Sequence, residues 1–141
     1  MILLDTDHLS VLKYEEHPRC RTLRERMTAS EAPVFATTII SAEEQMRGWL
    51  AKIHAAKDPE KQVAWYDQLA WLIEFLADWQ IIAFDQQAAV ELKRLQRMRL
   101  RIGTLDLKIA AIARIHDALL LSANQRDFGR VPELRVESWI T

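Results

Sequence analysis

The sequence predicts an α/β domain: a three-layer α/β/α arrangement whose mostly parallel central sheet has helices on both faces. Three observations carry this expectation. Short β-rich runs alternate with longer helix-periodic stretches along the whole chain, and strands separated by helical crossovers pair in parallel. The first run, MILLD, is apolar without alternation, as in a strand buried on both faces. The chain has 141 residues, 50% of them hydrophobic, with only three glycines and four prolines. That composition supports a sizeable core and excludes a disordered or fibrous chain, so residues 1–141 are expected to form a single domain.

Each element follows from local signals. After MILLD, Thr6 or Asp7 starts a short helix through about Tyr14. Pro18 punctuates, and a second helix is expected from about Arg19 to Thr28. VFATTII is β-rich, and Ser41 has the features of an N-cap for a helix through about Ala55. Asp58-Pro59 opens a helix over 59–78 with two apolar stripes, one of Trp65, Leu69, Leu72 and Leu76, the other of Trp71, Phe75 and Trp79. QIIAF is a strand, Asp85 a cap, and residues 86 to about 98 a basic helix. Gly103-Thr104 reads as loop and cap, LDLKIAAIARIHD as a strongly periodic helix, ALLLSA as a buried strand and LRVESW as a last one.

Composition narrows the function. One cysteine, Cys20, excludes an internal disulfide framework and a cysteine-based zinc site. Ile2-Leu3-Leu4, closed by Asp5, is too short for an export signal, and Glu74 and Asp78 break the most apolar stretch. A cytoplasmic protein with no membrane partner is expected. The net charge of −1 does not suit bulk electrostatic grip on nucleic acid. Basic residues are nevertheless concentrated in KRLQRMRLR, residues 93–101, as a solvated helix face or as local phosphate contacts. The four histidines lack metal-ligand spacing, and no glycine-rich phosphate loop or G-x-S-x-G elbow is present.

The acids are better placed. In open parallel sheets, sites form beyond the carboxyl ends of the strands. The first strand exits into Asp5 and Asp7, and the second leads to Glu43 and Glu44. Asp106 lies in the first turn of the periodic helix. The ALLLSA strand exits into Ser122, Asn124 and Asp127. Singly, each acid can serve a helix N-terminus, and Ser41 with Glu44 matches a capping box. Together they repel: two carboxylates ~4 Å apart cost about 4 kcal/mol at an effective dielectric near 20. Protons or cations must compensate, and an all-oxygen ligand set favours Mg²⁺ or Mn²⁺.

These segments resemble four ordered motifs of PIN-domain nucleases. MILLDTDHLS looks like the N-terminal LDTN-type motif, with Asp7 where asparagine is common. TIISAEEQMRG resembles the second, whose acid stands four residues before a glycine; Gly48 makes it Glu44, with Glu43 as the adjacent alternative. GTLDLKIAAIA is similar to the third and carries Asp106. LLLSANQRDFGRVPELRVESW resembles the closing motif, here with Ser122, Asn124, Asp127 and Phe128. Size and wording look most like VapC, the toxin of bacterial VapBC toxin–antitoxin modules.

The resemblance implies a Mg²⁺- or Mn²⁺-dependent endoribonuclease, usually homodimeric and held inactive by a cognate VapB-like antitoxin. It implies that Asp5, Glu44 and Asp106 bind metal, with Asn124 or Asp127 positioning water and Ser122 adding a hydroxyl contact. Arg97, Arg99 and Arg101 would hold flanking RNA phosphates. Two other readings stand beside it: a metal-dependent DNA nuclease, and a non-catalytic PIN-like interaction protein whose acids are caps.

Overall fold

The computed structural model describes residues 1–32 and 34–141. Five strands form one sheet: β1 (Ile2–Leu4), β2 (Phe35–Thr38), β3 (Gln80–Ile82), β4 (Leu119–Leu121) and β5 (Arg135–Glu137). Their order is β3-β2-β1-β4-β5, and all four pairings are parallel. The helices are α1 (Thr6–Leu12), α2 (Pro18–Ala29), α3 (Ile39–Ala55), α4 (Pro59–Ala77), α5 (Gln86–Arg97), α6 (Thr104–Ile115) and α7 (Gln125–Phe128). The chain begins in the middle of the sheet, builds outward through β2 and β3, then returns to β4 on the other side of β1. The topological switch therefore lies between β1 and β4, and the crevice at their carboxyl ends is where such sheets place ligands.

Alternation along β1 sends side chains into two cores. Leu3 joins Leu120 and the α5–α6 residues Leu95, Ile109 and Ile112 on one face. Ile2 and Leu4 join Leu9, Leu12, Leu23 and Trp139 on the other. Both faces are covered, as the unalternated MILL run predicts. Leu3 and Leu4 are fully buried, each contributing about 1.5–3 kcal/mol of transfer free energy. Along α6 the run Ile109–Ala113 is entirely buried. Its three alanines let the helix lie close to both sheet and α5, which fixes Asp106 at its first turn.

Several boundaries differ from the sequence expectation. Ser41 is not a cap: Thr38 occupies that place in extended backbone, and its side chain accepts from Ser41 N at 3.1 Å. Ile39 and Ile40 are already helical, so Glu44 lies a full turn in, outside any capping box. Thr104 is the first helical residue of α6, and its N-cap Gly103 supplies no side-chain bond. Between Asp5 and Asp7, Asp5 is the cap of α1, accepting from Thr6 N at 2.8 Å. α7 was not anticipated; four residues are too few to show a helical period. The closing strand is only Arg135–Glu137, an edge with no fully buried residue.

Candidate active site

Asp5 leaves β1 at the switch point and is 6% exposed. Its backbone N–H donates to Leu121 O at 2.9 Å, continuing the ladder to β4. One carboxylate oxygen caps α1, and the other accepts from Ser122 Oγ at 2.8 Å. Ser122 is the residue after β4, so this bond joins the two strand exits across the crevice. Ser122 Oγ also accepts from Asn124 N at 3.0 Å, which turns the chain into α7.

The other acids converge on this point. Thr6 Oγ1 donates to Glu44 Oε1 at 3.5 Å, tying α3 to the start of α1. Asn124 Nδ2 donates to Asp106 and to Asp127, both at 3.2 Å. Glu43 turns aside into an ion pair with Arg47, so Glu44 is the acid that faces the site. Asn124 and Asp127 do not exclude one another: the amide bridges the two aspartates.

This proximity shifts the acids' titration. Burial, then the charge of Asp7, raises Asp5 from 3.8 to about 6. Burial, then Asp5 and Asp106, raises Glu44 from 4.5 to about 7. Burial, then Asp127, also holds Asp106 above its ordinary value. Asp127 has a cation beside it, Arg130 at 3.6 Å, whereas Asp5, Glu44 and Asp106 have no Lys or Arg within ion-pair distance among the described residues. Among the described residues no three His, Cys, Asp or Glu side chains already stand in a metal-holding arrangement.

Two contributors, Asp7 and His8, were given no role in the site by the sequence reading, although Asp7 was noted at the exit of the first strand. Asp7 Oδ2 accepts from Ala123 N at 2.9 Å and from Ser122 Oγ at 3.4 Å, which makes Asp7 part of the site. Its other oxygen meets His8 Nδ1 at 2.5 Å. His8 is fully buried, and its Nε2 accepts from Trp139 N at 3.0 Å, so Nδ1 carries the proton and donates to Asp7. The signal was present as two acids one residue apart, but a sequence shows neither His8's orientation nor Trp139's arrival. Conversely, Arg97, Arg99 and Arg101 are exposed and make no ion pair with the acids among the described residues. Arg99 and Arg101 have φ of 53° and 59°. Arg130 Nη1 donates to Arg101 O at 3.0 Å, linking this loop to α7.

Fold and site together define a parallel α/β domain with an acidic centre at its switch point. The family model of the PIN domain matches residues 2–134, and the chain belongs to that family. No curated protein matches the sequence. Among solved structures, VapBC-1 from nontypeable Haemophilus influenzae is similar at 19% identity and TM-score 0.76, with 100% of each chain covered. DNA-bound VapBC from Salmonella typhimurium is similar at 23% identity and TM-score 0.73, covering 98% of this chain and 97% of that one. Mycobacterium tuberculosis VapC20, described as a Sarcin-Ricin loop cleaving toxin, is similar at 17% identity and TM-score 0.53, covering 96% and 99%. At these identities the likeness is one of fold.

Proposed function

We propose that this PIN domain is a Mg²⁺- or Mn²⁺-dependent endoribonuclease acting as the toxin of a toxin–antitoxin module. One observation carries the reading: Asp5, Glu44 and Asp106 come from three separate segments yet lie close enough at the sheet's switch point that Asp5 and Asp106 both raise the pKa of Glu44, and Asp106 that of Asp5. One buried and two half-buried acids that repel one another do not stabilise a fold, since the cluster remains costly until a cation or proton compensates it. The donor set is all oxygen, which fits a hard divalent ion. Asp5, Glu44 and Asp106 would hold it. When bound, the ion supplies charge compensation for acids and scissile phosphate and lowers the pKa of a water.

The chain's own residues do the remaining work. Ser122 and the N-terminus of α1 fix both oxygens of Asp5. Asn124 holds Asp106 and Asp127 at one distance from its amide, and Asp127 orients water beside Asp106. His8 and Ala123 N immobilise Asp7, whose charge makes the pocket still more selective for cations. A VapB-like antitoxin as partner and a homodimer as assembly accompany this reading; the neighbours described as VapBC complexes support the former. A cytoplasmic location is likewise proposed, and no helix among the described residues is long and apolar enough to cross a membrane.

Cleavage of RNA in Mg²⁺ by wild type, Asp5→Ala and Asp106→Asn tests the proposal. Both variants should lose at least a hundredfold in rate, and EDTA should abolish the wild-type reaction; near-wild-type activity in both ends it. The alternative of a non-catalytic interaction protein draws support from the capping role of Asp5 at α1. Wild-type protein that binds no Mg²⁺ or Mn²⁺ at millimolar concentration decides for that alternative. Cleavage of DNA in preference to RNA decides for a DNA nuclease.

A further inference from the structure

Beside the acidic site, on the seam between α1 and α3, lies a cavity of about 290 Å³ lined by Ser10, Lys13, Gln45, Gly48, Trp49 and Trp71. That volume lies at the small-ligand end of the usual range, right for one nucleotide and too small for a duplex. Its walls are aromatic and cationic. Lys13 Nζ lies 5.1 Å from the centroid of Trp49 and 5.2 Å from that of Trp71. Lys52 Nζ lies 5.2 Å from Trp49 and 4.6 Å from Trp65, which stacks on Trp49 at 6.0 Å.

Neither ammonium has a carboxylate within ion-pair distance among the described residues. Two cations held over indole faces with no counter-charge form a receptor for an anion that also carries a flat ring. Burial pushes the Lys13 ammonium below its ordinary value, as expected of a cation desolvated without an anionic partner.

Gly48 provides an independent observation. It lies in the interior of α3, where glycine is the poorest helix former after proline. A Cβ built there meets nothing within 4 Å, so packing does not require the missing side chain. What the glycine keeps open is the floor of this cavity, and close approach of a ligand to backbone is one of glycine's uses.

The position relative to the acids completes the argument. Gln45 Nε2 donates to Thr6 O at 3.5 Å, and the hydroxyl of that same Thr6 donates to Glu44. Glu44 and Trp49 are five residues apart on α3, about 7.5 Å of axial rise. The two lie about 140° apart around the helix, so it is the Gln45–Thr6–Glu44 chain along the α1–α3 seam that leads a strand from the acids to the cavity.

We propose that this cavity is a subsite for one unpaired nucleotide of the substrate strand. The nucleotide's phosphate draws Lys13 out from between Trp49 and Trp71 and meets Lys52 as well. Its base takes the place between the two indoles that Lys13 leaves, since Phe75 and Trp65 cover their other faces. This rests on the nuclease reading for its substrate. A paired base offers no free face to enter the cavity.

The test is tryptophan-fluorescence quenching of the full chain in EDTA, titrated with an adenosine RNA octamer and with an abasic octamer of the same backbone. The adenosine octamer should quench and bind at least fivefold tighter than the abasic one. Trp49→Ala should erase that preference. Lys13→Gln should weaken both octamers and lower the salt slope by about 0.7. Gly48→Ala should melt higher than wild type yet bind the adenosine octamer several-fold more weakly, an opposition that a purely structural glycine does not produce. Equal affinity for the two octamers, no quenching by either, or wild-type binding by both Gly48→Ala and Lys13→Gln overturns the subsite. EDTA keeps the divalent ion out of this readout, so its failure is distinct from a failure of Asp5-dependent cleavage.

Discussion

Replacing Asp5 with asparagine separates the charge of the site from the shape that holds it. In the folded protein the Asp5 carboxyl titrates at about 6 instead of 3.8. An acid whose folded pKa is raised destabilises the fold when ionised: the penalty is absent below pH 3.8, grows through the interval, and is fully felt above about pH 6. That difference corresponds to about 3 kcal/mol at neutral pH. Asparagine removes the charge and keeps the oxygen that accepts from Thr6 N. Its amide faces Ser122 Oγ, where the hydroxyl can rotate to accept. Losing a negative charge at the α1 N-terminus offsets about 0.3–1 kcal/mol. The net gain is about 2 kcal/mol, or roughly 4–8 °C in melting temperature for a chain of this size. Thermal melts of both proteins in EDTA at pH 7.5 and pH 4.5 measure it. Asp5→Asn should melt higher at pH 7.5, and the gap should narrow in acid. Adding Mg²⁺ should raise wild type and leave the variant unmoved. A variant that melts lower at pH 7.5, or a gap that is the same at both pH values, refutes the claim that Asp5 is held charged at a cost to the fold.

Three further outcomes follow from the same geometry. Glu44, raised to about 7, is largely protonated at pH 6, so apparent Mn²⁺ affinity measured by calorimetry should strengthen from pH 6 to pH 8, and an affinity flat over that range contradicts its role. His8→Ala removes a fully buried ring and leaves Trp139 N and one Asp7 oxygen without their partner, so urea melts should show a loss of about 2–4 kcal/mol; a loss below 1 kcal/mol means the C-terminal segment is anchored otherwise. Neutralising Arg97, Arg99 and Arg101 to glutamine should weaken RNA binding and reduce the salt slope by about 2 if all three meet phosphate, whereas an unchanged slope makes this loop plain surface.

How much of this was legible beforehand varies with the range of the interaction responsible. β1 was readable because burial on both faces leaves an unbroken apolar run, and α6 because its buried face repeats with helical period. The cap of α3 was not. Thr38 and Ser41 are both good caps, and the choice depends on where β2 stops pairing with β1 and β3, a matter of register that no local signal encodes. α7 was missed because its fixing contacts, Phe128 in the core and Asn124 on the acids, are long-range. In sequence, Glu44 was preferred to Glu43 only through its four-residue spacing to Gly48 in a motif resemblance. They differ only by the rotation of α3, which aims one at Arg47 and the other at Thr6.

By itself the sequence determined the parallel α/β class and the placing of acids at strand exits, because periodicity and residue type act over a few residues. Only the tertiary structure decided that Asp7 joins Asp5 on the Ser122 hydroxyl, that a buried His8 ties it to Trp139, and that Lys13 comes to rest between Trp49 and Trp71. Those contacts join segments more than thirty residues apart, and their geometry is set by how strands and helices pack, which the order of residues expresses only once the whole chain has folded.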